Sequence, residues 1–78
     1  MPTVVLDGPY RLHFWSADRR EPPHVHVERD RKTAKFWLQP VRLDKQRHFG
    51  AAELRGVKAL VRKHEQAILR EWHDRFGR

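Results

Sequence analysis

No cysteine occurs in the 78 residues, so neither a disulfide framework nor a thiolate metal site can hold this chain together. A reducing, cytoplasmic compartment is the expectation that fits. Long apolar runs are missing too: none approaches the roughly 18 residues of a membrane span. The start, MPTVVLDGPYRL, lacks the basic-then-apolar pattern of a signal peptide, so the chain is expected to be complete, to make no membrane contact and to form a single domain over residues 1–78. Glycine is scarce, with four in total, and no Walker-type loop, dinucleotide fingerprint, nucleophile elbow or HExxH is present. Nucleotide-cofactor enzymology is thereby disfavoured, and no cofactor is expected.

Acidic side chains are the minority charge. Seventeen Lys and Arg stand against ten Asp and Glu, a net +7, with the excess spread along the chain rather than gathered in a tail. Such a surface suits a polyanion, through phosphate contacts and counterion release, or an acidic protein that masks it. A chain this short buries a modest share of its surface, so help from a partner chain, a second copy or another small protein, is expected.

The apolar residues alternate in the first half and follow a helical period in the second. TVVL at 3–6 reads as a short strand, the turn DGP follows, and YRLHFWS at 10–16 reads as the second strand. After the loop ADRREPP come HVHVER at 24–29 and TAKFWL at 33–38, with VRL at 41–43 as a further short segment. From Ala51 to Phe76, Leu54, Val57, Val61, Ile68 and Trp72 fall on one arc at 100° per residue, with Gly50 placed to cap the start and Gly77 to end the helix. The predicted fold is α+β: a three- to four-stranded antiparallel sheet with one long C-terminal helix packed on one face.

Strand alternation then sorts the side chains. Leu12, Phe14, Val25, Val27, Ala34, Phe36 and Leu38 must meet the helix, which leaves Arg11, His13, Trp15, His24, His26, Lys35 and Trp37 together on the opposite face. Histidines at 24 and 26 emerge on one side of a strand about 7 Å apart. Two ligands do not make a metal site, and Glu28 lies roughly 13 Å from His24 along a straight strand. His13 would be the better third ligand, but no metal is expected.

RNA cleavage asks for a base, an acid and positive charge on the phosphate, and histidine serves the first two because it titrates near neutrality. His24, His26 and His13 are the catalytic candidates, while Arg11 and Lys35 can hold phosphate and Trp15 and Trp37 can stack bases. Two blander readings stand beside this one. The histidines can instead fix the path of loop 17–23 by hydrogen bonding, and the tryptophans can anchor a second subunit. On the helix, Arg55, Arg62, Gln66, Arg70 and His73 read as a solvated face, His64 as a partly buried structural group, and Trp72 and Phe76 as anchors of the helix end.

The run YRLHFWSADRREPPHVHV, then AKFWLQPV, then the terminal EWHDRFG resembles the small bacterial domain-of-unknown-function family 4160 over nearly the whole chain. Members are short stand-alone proteins, often encoded beside a second small protein and proposed as parts of toxin–antitoxin pairs. The resemblance implies a small cognate partner protein encoded nearby and RNA as the target. The function expected is therefore one half of such a pair acting on RNA, either as a metal-independent histidine ribonuclease or as a non-catalytic protein- or nucleic-acid-binding module.

Overall fold

A computed structural model describes residues 3–77; Met1, Pro2 and Arg78, the ends of the expected 1–78 domain, lie outside the described residues. The strands are β1 (Thr3–Asp7), β2 (Tyr10–His13), β3 (His24–Arg29), β4 (Lys32–Trp37) and β5 (Arg42–Arg47), and the chain ends in one helix, α1 (Ala51–Phe76). Every neighbouring pair is antiparallel and the spatial order is the chain order, β1-β2-β3-β4-β5. This is the predicted α+β architecture with one more strand. RLDKQR at β5 carries a single apolar residue, Leu43, and is exposed throughout, so beyond the short VRL segment expected at 41–43 hydrophobic alternation gives no sign of it.

Local chemistry sets the turns. Gly8 (φ 57°) turns β1 into β2, and Asp30 (φ 54°) opens the tight connection between β3 and β4, a left-handed position that aspartate tolerates better than most side chains. Gln39 (φ 59°) is steadied by its N–H, which donates to Glu65 Oε2 of α1 at 3.0 Å. Strand β2 stops at His13, short of the expected Ser16. Beyond it the backbone N–H of Trp15 donates to Asp18 Oδ2 at 2.7 Å, the N–H of Asp18 donates to the Trp15 carbonyl at 3.0 Å, and Ser16–Arg20 winds into a 3-10 turn. The expected loop is thus an ordered lid segment.

The helix occupies its predicted span. Gly50 is the N-cap, and Gly77 adopts the left-handed conformation (φ 71°) and donates its N–H to the His73 carbonyl at 2.8 Å. Val57, Val61, Ile68, Leu69 and Trp72 are buried against Leu12, Phe14, Val25, Val27, Ala34 and Phe36 of the sheet. At the far end Trp72 meets Phe14 edge-on, ring centres 5.3 Å apart, and Phe76 at 4.5 Å. Arg55, Arg62, Gln66, Arg70 and His73 are exposed, and half-buried His64 holds Asp7 of β1 at 2.8 Å. No helix among the described residues is long and apolar enough to cross a membrane.

Candidate functional site

The register of the sheet aligns the polar face in rows. His13 pairs with His26, His26 with Lys35 and Lys35 with Lys45, a transverse line from β2 to β5. On one side of it run Arg11, Glu28, Thr33 and Arg47; on the other run His24, Trp37 and Arg42. The register shift between Lys35 and Phe36 inserts Asp44, whose carboxylate reaches Lys35 Nζ at 3.5 Å. The face the sequence places opposite the helix therefore exists, and it gathers all the candidate residues. It is not uniformly open.

Its first half is covered. Asp18, on the 3-10 turn, lies between the two strand histidines: its Oδ2 is 3.0 Å from His26 Nε2 and its Oδ1 is 3.0 Å from His24 Nε2. The relative exposure of His24 is 0%, of His13 2% and of Asp18 8%, so this is an interior cluster. His24 is fixed further by its Nδ1, 2.9 Å from the Pro22 carbonyl, and its ring lies 5.4 Å from that of Trp37 and 5.3 Å from that of Trp72. The His13 and His26 rings stack at 5.5 Å, and Trp15, which stays exposed, meets His13 edge-on at 5.3 Å.

Burial governs the electrostatics here. It pushes His13 down to about 4, with His26 and Arg11 adding like-charge repulsion, and it lowers His26 as well against the opposing pull of Asp18. For Asp18, burial acts to raise the pKa, but the Trp15 N–H and the two imidazoles outweigh it and keep the carboxyl below its usual range. Asp18 is the residue that sequence reasoning missed. Only its position in SADRRE, eight residues before His26, marks it, and the 3-10 geometry is needed to see the convergence.

The second half of the face is open and basic. Lys35 is buried and committed, to Glu21 at 2.7 Å and to the Trp37 ring at 4.5 Å; burial alone would lower its pKa, but the Glu21 and Asp44 carboxylates hold it above the usual value. Arg11 is paired with Glu28. Among the described residues, Arg42, Lys45 and Arg47 of β5 form no ion pair and are exposed. A cleft of about 150 Å³ is lined by His26, Thr33, Lys35, Lys45, Gln46 and Arg47. Sequence alternation had not placed Lys45 and Arg47 on this face, because the segment expected after Pro40 was only VRL at 41–43 and β5 continues to Arg47.

The fold and the site together define a class: a small antiparallel meander closed by one helix, with an aspartate and histidine cluster under a 3-10 lid and a basic cleft beside it. The model of the family described as Domain of unknown function (DUF4160) matches residues 10–73, and the chain belongs to that family. The matched span runs from the start of β2 to His73 in the last turn of α1 and so contains the whole site. No curated protein and no solved structure matches the chain significantly.

Proposed function

We propose that this chain is a non-catalytic RNA-binding module that engages the phosphate backbone along β5 and the cleft next to His26, and that it works as one member of a toxin–antitoxin-like pair. One observation carries the reading: Lys45 and Arg47, without ion pairs among the described residues, line one cleft with His26. Arg42 extends the same strand, and exposed Trp15 offers a ring for base stacking. The pairing with a small cognate protein rests on the family resemblance. Binding is favoured over cleavage because a two-histidine mechanism needs both imidazoles at the phosphate, and His13 and His24 are interior.

A ribonuclease reading keeps one specific support. His26 is partly exposed, lines the basic cleft and is tied to Asp18 at 3.0 Å, a pairing that can orient an imidazole for proton transfer. Fluorescence anisotropy with labelled single-stranded RNA, followed by electrophoresis of the recovered RNA, separates the two. Binding that weakens with salt and leaves the RNA intact is the expected result. Lys45→Glu with Arg47→Glu should weaken it at least about tenfold and lower the salt slope by roughly 1.4, at about 0.7 per phosphate contact on a single strand. Cleavage that disappears in His26→Ala would establish the nuclease instead, and unchanged binding by the double variant would remove the β5 surface.

A further inference from the structure

We propose that Asp18, His24 and His26 form a binding site for one divalent first-row transition ion of the zinc type. The tautomer of His24 is where the argument starts. Its Nδ1 lies 2.9 Å from the Pro22 carbonyl, which can only accept, so Nδ1 carries the hydrogen. In the neutral ring Nε2 then presents a lone pair, and this atom is buried, lacks an aligned hydrogen bond and lies 3.0 Å from Asp18 Oδ1. Two lone pairs at that distance between buried side chains, His24 at 0% and Asp18 at 8% exposure, repel unless a positive charge stands between them. Either a proton or a metal ion satisfies that condition.

The remaining donors favour the ion. His26 Nε2 is 3.0 Å from Asp18 Oδ2, and the donor atoms of all three residues lie within 4.8 Å of one another. Metal bonds of about 2.0–2.2 Å put neighbouring ligand atoms roughly 2.9–3.5 Å apart, so the two separations, His24 from Oδ1 and His26 from Oδ2, suit a carboxylate that turns both oxygens to one ion. The histidine–histidine separation, within 4.8 Å, reaches the upper end of that range with a shift of no more than about 1.3 Å, and His26, the more exposed ring, can supply it. Support around the donors is also built: the Pro22 carbonyl fixes the His24 ring and the Trp15 N–H, at 2.7 Å, fixes the carboxylate. Lys35, whose positive charge acts on His26, is ion-paired with Glu21 and Asp44.

Two imidazoles and one carboxylate select zinc, cobalt, manganese or iron over calcium and magnesium, which prefer all-oxygen shells. The three residues come from the 3-10 turn and from β3, so binding would clamp the lid segment onto the sheet. His26 is shared with the basic cleft, yet the inference does not depend on RNA binding.

Titration of the purified, metal-stripped full chain with Co²⁺ at pH 8, read by visible absorption and by thermal midpoint, tests it. Expected are ligand-field bands that saturate at one ion per chain, a raised midpoint, and displacement of the bands by Zn²⁺. Asp18→Asn and His26→Gln, each verified as folded by circular dichroism, should weaken binding by about 10-fold or more. Absence of bands at this pH overturns the site and leaves the proton as the charge between Asp18 and His24. Equal binding by both folded variants overturns it too, by assigning the ion to histidines elsewhere.

Discussion

Glu53 gathers three strands onto the first turn of the helix. Its carboxylate accepts from Tyr10 Oη at 2.7 Å on β2, from Arg29 Nε at 2.6 Å and Nη2 at 2.9 Å on β3, and from Lys32 Nζ at 3.1 Å on β4. The Arg29 guanidinium first, then the Tyr10 hydroxyl, depress its pKa to about 2 from the ordinary 4.5. A carboxyl whose folded pKa is depressed binds fewer protons folded than unfolded, so its contribution is complete above pH 4.5 and is lost as pH falls from there through about 2. The thermal midpoint should fall across that window in the native chain. In Glu53→Gln it should start lower at pH 7 and fall less steeply, and an identical slope in both proteins would show that another group governs acid unfolding. The histidines show the limit of what single residues disclose in a sequence. Alternation places His13, His24 and His26 on one face, as the structure has them, but whether that face is wet depends on Asp18, which reaches it only because the chain turns back at Trp15.

At the scale of elements, α1 and β5 mark the two extremes of legibility. The helix has a sustained apolar arc and a glycine at each end, and its observed span is the predicted one. Leu69 is buried beside that arc, where the period alone had not put it. Strand β5 has neither signal, since its backbone is held by β4 and its side chains face solvent, so pairing rather than patterning makes it a strand. The end of α1 is where the helix is fastened, by Trp72 against Phe14, Phe76 and His24. Trp72, at 0% exposure, should cost about 3–5 kcal/mol when replaced by alanine, whereas Arg70→Ala on the solvated side should change stability by less than about 0.5 kcal/mol. Urea unfolding of the two variants checks this. Comparable losses would mean that the helix end is not anchored through the tryptophan.

For the whole molecule, the position of β5 gives its charges two separable consequences. In the order β1-β2-β3-β4-β5 this strand is a sheet edge, with no strand among the described residues on its outer side, and Arg42, Lys45 and Arg47 are the kind of side chains that discourage another strand from adding there. The same three cations are the surface proposed to take RNA. Charge of either sign protects an edge, while only positive charge attracts a phosphate backbone, so replacing the three residues in two ways distinguishes the roles. The triple glutamate variant should lose RNA binding and keep the oligomeric state of the native chain. The triple threonine variant should also lose RNA binding, but threonine favours strands and carries no charge, so it should self-associate. Sedimentation velocity at rising concentration, with anisotropy on the same samples, reads both properties. Self-association of the glutamate variant would mean that repulsion does not guard the edge. Retention of RNA by both would move the binding surface off β5, to Trp15 and the exposed cations of the helix.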